Sequence, residues 1–310
     1  MDFNSEPLVS IIMNCFNGEK YLREAINSAL AQTYKNIEII LWDNCSSDKS
    51  AEIVKSYSDP RVKYFLADEF TSLGEARNRA IKKSHGDFVA FLDVDDIWFP
   101  TKLEKQIPLF KNPKIGIVIS DTIFFNEKGD FKQLYKTTKP PVGYVFAELL
   151  SSYCVSLETL VVRKKFLDQM DYWFDPRFSM IEEMDFLLRL SKISEMDFVD
   201  EPLAKWRMHN QSWTFEKRSQ FPIERKQMIE TYSSLFSNFK IEYDKSIKSI
   251  LKLVALEESI VSFQRGNIKE LRTKIEPFIW KDKKYLLLYL ISFAPKSFMR
   301  NVLVKRGLIC

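Results

Sequence analysis

Histidine is nearly absent from this chain: two residues in 310, His85 and His209. The four cysteines, Cys15, Cys45, Cys154 and Cys310, stand far apart and form no C-x-x-C pair. A structural zinc site needs closer spacing and more partners, so that class is excluded. Thiols so placed read as reduced, which suits a cytoplasmic protein. No apolar run approaches the roughly 20 residues that span a bilayer. The opening Met1-Asp2-Phe3-Asn4-Ser5-Glu6 is polar and acidic, so no signal peptide is expected. Net charge is only +4, with no arginine-rich stripe interleaved with aromatics, which argues against a nucleic-acid partner. Internal repeats and low-complexity segments are lacking too.

What is present is a large apolar fraction, 45% of residues, enough for one large α/β domain with an appendage or for two modest domains. Short strand-like runs recur at 9–13, 37–42, 62–66, 88–92 and 115–119. Helical patterns separate several of them. Tyr21, Leu22, Ala25, Ile26, Ala29 and Leu30 make one apolar face, and further helices are expected over 51–57 and 74–83. Alternation at this spacing predicts a mostly parallel, doubly wound sheet, whose ligands bind beyond the carboxyl ends of the strands. Asn14 to Asn17, Asp43 and Asp93 to Asp96 all fall at such ends. In Asp93-Val94-Asp95-Asp96, three carboxylates crowd a strand end, which is costly unless a cation sits among them. Hard oxygen ligands suit Mg²⁺ or Mn²⁺, which would hold a diphosphate; an acidic loop capping the next helix is the plainer alternative. Regularity fades over 126–153. A strand is expected at 160–162 and a helix over 182–193, and after Ser212 the pattern turns almost wholly helical.

Several segments together resemble the family 2 inverting glycosyltransferases of the GT-A fold. Val9-Ser10-Ile11-Ile12-Met13-Asn14-Cys15-Phe16-Asn17 is similar to that family's first strand and nucleotide loop, with Asn14-Cys15 in place of the usual Pro-Thr. Glu38-Ile39-Ile40-Leu41-Trp42-Asp43-Asn44-Cys45-Ser46-Ser47-Asp48 resembles the Val-Asp-Asp-Gly-Ser-x-Asp strand end. Gly74-Glu75-Ala76-Arg77-Asn78 is like the Gly-x-x-x-Arg-Asn segment, one residue shorter, and the run from Asp87 to Asp96 leads into an Asp-x-Asp. Glu182-Glu183-Met184-Asp185 stands where the family carries Glu-Asp-x-Asp, and Arg207-Met208-His209-Asn210-Gln211-Ser212 resembles Arg-x-His-x-x-Ser. The likeness covers roughly 8–212.

The resemblance implies a GT-A catalytic domain over 1–218, with a nucleotide-sugar half to about 125 and an acceptor half beyond it, and a helical region over 219–310. It implies transfer from a nucleotide-sugar, UDP before dTDP or GDP, to a hydroxyl of a glycan or lipid-linked acceptor, in surface polysaccharide synthesis. Phe16 and Asn17 would line the base pocket, Asp43 would meet the base edge, and Arg77 would lie near the base or phosphates. Asp93 would face the ribose or sugar. A Mn²⁺ or Mg²⁺ ion would sit among Asp95, Asp96 and His209, and Arg207 would close over the diphosphate. Glu183 or Glu182 would be the base. Structural alternatives stay open: Asp43 as a turn residue, Arg77 in a surface salt bridge, and Glu182 and Glu183 as acids favoured by the helix dipole. The ring of Trp98 either stacks on a sugar or packs in the core. A non-catalytic sugar-nucleotide or glycan-binding homologue is one rival. The other, a sugar nucleotidyltransferase, normally has a glycine-rich, basic first loop that Asn14 to Gly18 lacks.

Near the end, Tyr285-Leu286-Leu287-Leu288-Tyr289-Leu290-Ile291-Ser292-Phe293 is apolar and flanked by Lys281, Lys283, Lys284, Lys296, Arg300, Lys305 and Arg306. That pattern suits peripheral contact of 281–306 with the inner face of the plasma membrane, or packing on the catalytic domain or on a second subunit. Cys310 lacks a prenylation arrangement.

Overall fold

The computed structural model describes residues 6–209 and 217–305; Asn210 to Ser212, Arg306 and Cys310 lie outside them. The described residues form two compact units, one up to Leu149 together with Tyr153–His209, the other made of Leu150–Ser152 and the residues after His209.

The first unit is built on one sheet. Strands β1 (Val9–Cys15), β2 (Ile37–Asp43), β3 (Val62–Leu66) and β4 (Phe88–Phe91) are parallel, in the order β3-β2-β1-β4. All seven residues of β2 and six of seven in β1 are buried, the near-continuous apolar run of a strand covered on both faces. Helices α1 (Leu22–Leu30), α2 (Ser50–Lys55) and α3 (Leu73–Ile81) connect them. Leu22, Ala25, Ile26 and Ala29 of α1 enter a core shared with Ile11, Met13, Ile39 and Leu41. Ser72 caps α3 by accepting a hydrogen bond from Glu75 N at 3.3 Å. The register sets Cys15 beside Asp43, which brings the loops after β1 and β2 together.

Beyond β4 the sheet continues in mixed sense. The short β5 (Ile97–Trp98) lies far from its sequence neighbours, at the edge against β9 (Glu195–Arg207). Antiparallel β8 (Val161–Arg163) joins β4 to β6 (Ile115–Asn126), which runs parallel to β9 and carries β7 (Gly129–Gln133) on a hairpin. Helices α4 (Lys102–Gln106), α5 (Phe146–Ser151), α6 (Lys164–Leu167) and α7 (Glu182–Ser191) complete the run.

Strand β6 extends seven residues beyond the expected 119, through the fully buried Ser120-Asp121-Thr122. Polarity there reads as a loop. The chain keeps pairing because Asp121 accepts from Thr122 N, Tyr135 N and Gln133 Nε2 at 2.6–2.9 Å. The stretch 126–153, read as irregular, contains β7 and α5. The second unit is helical, with Ile260, Leu271, Ile275, Tyr285, Leu288, Met299 and Leu303 in its small core.

Gly86 precedes β4 where a Cβ would lie 2.7 Å from Leu8 O and Ser10 N, and its own N–H donates to Ser10 Oγ at 2.8 Å. Gly86→Ala is expected to lower stability by about 2 kcal/mol or more, because backbone cannot yield as a side chain does. A lower urea midpoint at unchanged slope would show it.

Candidate active site

The two loops that follow β1 and β2 are stitched together by short polar side chains. Asn17, in the left-handed region at φ 53, receives Ser47 N on its carboxamide oxygen at 2.8 Å, and its own N–H donates to Ser46 Oγ at 2.9 Å. Glu19 N donates to Asp48 and Lys49 N to Glu19, both at 2.9 Å. Asp43 is completely buried, its carboxylate accepting from Ser46 N and from the Tyr64 hydroxyl, each at 2.8 Å. It braces the loop that follows β2. Phe16 is exposed at the rim, in ring contact with the equally open Phe70 at 4.7 Å between centroids. Phe70 sits in a loop with no periodic pattern, so nothing in the sequence singles it out.

Asp93, Asp95 and Asp96 leave the carboxyl end of β4 on a tight turn closed by Asp96 N donating to Asp93 O at 3.1 Å. Gly18 lets this turn approach: a Cβ there would lie 2.9 Å from Val94 Cγ2. The three carboxylates then part company. Asp93 stays about one-third exposed and meets Arg77 at 3.2 Å. Asp95 Oδ2 lies 2.9 Å from His209 Nε2, and both groups reach solvent. Asp96 is turned inward, accepting from Arg207 N at 2.8 Å. Its burial, reinforced by Asp95, Glu158 and Asp93, holds its carboxyl well above the ordinary range. Asp96 thus faces the interior while Asp95 stays on the open side of the turn.

Arg207 does not hang over the loops. Its guanidinium is packed 4.3 Å from the Tyr21 ring and 4.4 Å from Phe125, donates to Asp95 O at 2.8 Å and pairs with Glu24. It fixes the aspartate turn from behind. Arg77 is likewise buried, with 3% of its side chain exposed. One nitrogen donates to Glu182 at 2.8 Å, the other faces Asp93, and the cation lies 5.4 Å from the Phe174 ring. The surface salt bridge that was the structural alternative is therefore not the position it takes: a single guanidinium joins the strand-end turn to the N-terminus of α7. Asn78 and Phe174 support it by exchanging two hydrogen bonds at 2.8 and 3.0 Å.

Glu182 is thus committed to Arg77. Glu183, the next residue, is half-buried, and burial, then the neighbouring Glu182, push its carboxyl up to about 8 against the opposing pull of Arg77. A carboxyl poised near neutrality is suited to taking a proton. Asp185 is buried in an ion pair with Arg189 at 2.7 Å and supports the helix. Trp98 is core: its Nε1 donates to Glu158 O at 2.7 Å and its ring lies under the buried Lys102 ammonium. Tyr153, unremarked in the sequence, has a buried hydroxyl with no hydrogen-bond partner among the described residues, within electrostatic reach of Glu183 and Glu182.

Among the described residues no group of three or more His, Cys, Asp or Glu side chains is arranged to hold a metal ion. Two do converge, Asp95 and His209. A hard cation such as Mg²⁺ often takes only one or two protein ligands and completes its shell with substrate phosphates and water, so the pair fits such a group.

Residues 10–171 match the family described as Glycosyl transferase family 2. An uncharacterized glycosyltransferase of Rickettsia typhi is 31% identical over 93% of this chain and 84% of its own length. The Escherichia coli protein WfgD, named a UDP-Glc:alpha-D-GlcNAc-diphosphoundecaprenol beta-1,3-glucosyltransferase, is 32% identical over 61% of this chain and 70% of its own. Among solved structures, the mannosyltransferase PcManGT of Pyrobaculum calidifontis, in complex with GDP-Man and Mn²⁺, superposes with a TM-score of 0.64 at 11% identity, covering 97% of this chain and 87% of that one.

Replacing Arg77 by Met would strand the buried Glu182 and free Asp93. The expected loss is about 3 kcal/mol, the scale for removing one partner of a buried ion pair. Arg77→Lys, which keeps the charge but cannot reach both acids in one plane, should lose less. Chemical denaturation of both variants checks the order.

Proposed function

This chain belongs to glycosyl transferase family 2, and from that premise we propose that it moves a sugar from a UDP-sugar to a hydroxyl of a lipid-linked glycan. The transfer inverts the sugar carbon and serves bacterial surface polysaccharide assembly at the inner face of the plasma membrane. The fold, that of the GT-A glycosyltransferases, supports a nucleotide-sugar site at the strand ends, and the WfgD likeness supports UDP and a lipid-carried acceptor. The observation that carries the reading is the joining of the aspartate turn to the Glu182–Glu183 helix start through one buried guanidinium.

Each side chain then has a task. Phe16 and Phe70 offer faces on which a base stacks, while Asn17 and Asp43 hold the loop that frames it. Asp93 accepts hydrogen bonds from sugar or ribose hydroxyls and is aimed by Arg77. Asp95 and His209 would hold Mn²⁺ or Mg²⁺, a Lewis acid that neutralises charge developing on the leaving diphosphate. Arg207 keeps Asp95 and Asp96 in register. Glu183 takes the proton of the attacking acceptor hydroxyl, with Glu182 a positioning residue that orients the helix start through Arg77 rather than a second base.

Titration calorimetry of UDP, GDP and dTDP, each with and without Mn²⁺, tests the donor site. Tight binding of UDP that needs Mn²⁺ is expected; no binding to any nucleotide by the folded protein would refute the reading. Asp95→Ala should lose the Mn²⁺-dependent part of that affinity. Glu183→Gln should keep donor binding and lose about 10²- to 10⁴-fold in kcat.

The pH dependence has a definite sign. Glu183 must be ionised to act, so kcat/KM should rise with an inflection near pH 8, moving to lower pH in Glu182→Gln where a repelling charge is gone. A carboxyl whose pKa is higher folded than unfolded contributes stability that is full below the unfolded value of 4.5 and lost as pH climbs through about 8. Glu183→Gln should therefore raise Tm at pH 9 and leave it unchanged at pH 4; an equal shift at both would refute the assignment.

A further inference from the structure

Outside the site, the end of the helical unit carries a feature that nothing above uses. The helix Lys283–Ile291 is apolar almost all round and has no acidic residue. A helix of that kind is normally covered on every side. Here Tyr285 and Leu288 are packed inward, and at 100° per residue they lie opposite Lys283 and Leu290. Leu290 is 59% exposed, Trp280 just before the helix 87% and Phe293 just after it 62%. On the next helix, Lys296–Lys305, Met299 and Leu303 point inward while Phe298 and Val304 are exposed.

The charge on this segment is one-sided. Lys281, Lys283, Lys284, Lys296 and Arg300 are all exposed, and none of them forms an ion pair among the described residues. The one acid, Asp282, is spent: it pairs with Lys252 and accepts from Lys284 N at 2.9 Å. Large aromatic and aliphatic side chains among unpaired cations match the boundary of an anionic bilayer, where apolar groups enter beneath the headgroups and lysines meet the phosphates. A second copy of this chain fits less well, since its matching face would bring like charges together. No described helix is long and apolar enough to cross a membrane, so the contact is one of surface binding.

We propose that the segment 280–304 is a binding surface for anionic phospholipid bilayers, inserting Trp280, Leu290, Phe293 and Phe298 while its lysines and Arg300 engage the lipid phosphates. The proposal gives a physical means for the membrane location in the functional reading. Vesicle binding is read without catalysis, so the two can fail separately.

The test uses the full chain and sedimentation with phosphatidylcholine vesicles, with and without phosphatidylglycerol. Partitioning at least roughly tenfold higher on the anionic vesicles, falling as salt is raised, is expected. Trp280 should report insertion by a blue-shifted emission that Trp280→Phe removes. The double variant Leu290→Glu, Phe298→Glu should lose at least about tenfold in partitioning. Lys283→Glu with Lys296→Glu, both at exposed positions, tests the electrostatic half should the apolar variant fold poorly. Equal partitioning on neutral and anionic vesicles, or variants that bind as the parent does, would overturn the proposal. So would self-association in sedimentation velocity that these same substitutions abolish.

Discussion

Six carboxylates, Asp93, Asp95, Asp96, Glu158, Glu182 and Glu183, act on one another at one end of the sheet, and their repulsion is the constraint that shapes this site. Left alone they would not all stay ionised at neutral pH. Two arginines, Arg77 buried and Arg207 half-buried, answer the problem from different directions. Arg77 bridges Asp93 and Glu182, and Arg207 fixes the turn that bears Asp95 and Asp96. What remains uncompensated is a carboxyl held near neutral pKa at Glu183 and an open pair, Asp95 and His209, that a cation would complete.

The scaffold explains why those arginines can be spared for positioning. Each guanidinium packs on aromatic rings, Arg77 on Phe174 and Arg207 between Tyr21 and Phe125, so its apolar faces are buried against carbon while its edge donates hydrogen bonds. The rings come from distant parts of the chain, which the mixed half of the sheet assembles. The parallel half supplies the loops after β1 and β2, and the crossing of β9 back to β5 supplies the wall behind the aspartate turn.

Much of the parallel half was legible in sequence because β1, β2 and β4 are buried on both faces and so read as largely apolar runs. The mixed half was harder for a physical reason. Strand β9, Glu-Met-Asp-Phe-Val-Asp-Glu-Pro-Leu-Ala-Lys-Trp-Arg, is nearly half charged and carries Pro202, where its register against β6 shifts. Burial, not periodicity, keeps Ser120-Asp121-Thr122 in β6, and the groups that satisfy them arrive from 133–135, which no local pattern reveals.

The sequence by itself determined the strands of the parallel half, the family likeness and the charged residues that gather at its strand ends, because spacing and burial pattern are local properties. It could not say which of those residues face a ligand and which face one another. Asp43, Asp96, Arg77 and Arg207 were all expected at a nucleotide or metal, and the fold also gives each a protein partner: Ser46 and Tyr64 for Asp43, Glu182 for Arg77, and Asp96 for the Arg207 N–H. That choice depends on which charges meet in low dielectric, where an unpaired ion is costly and a paired one is tolerated. Only the tertiary structure brings the partners together, setting Glu182 and Asp93 on one Arg77 guanidinium and leaving Glu183 half-buried beside them.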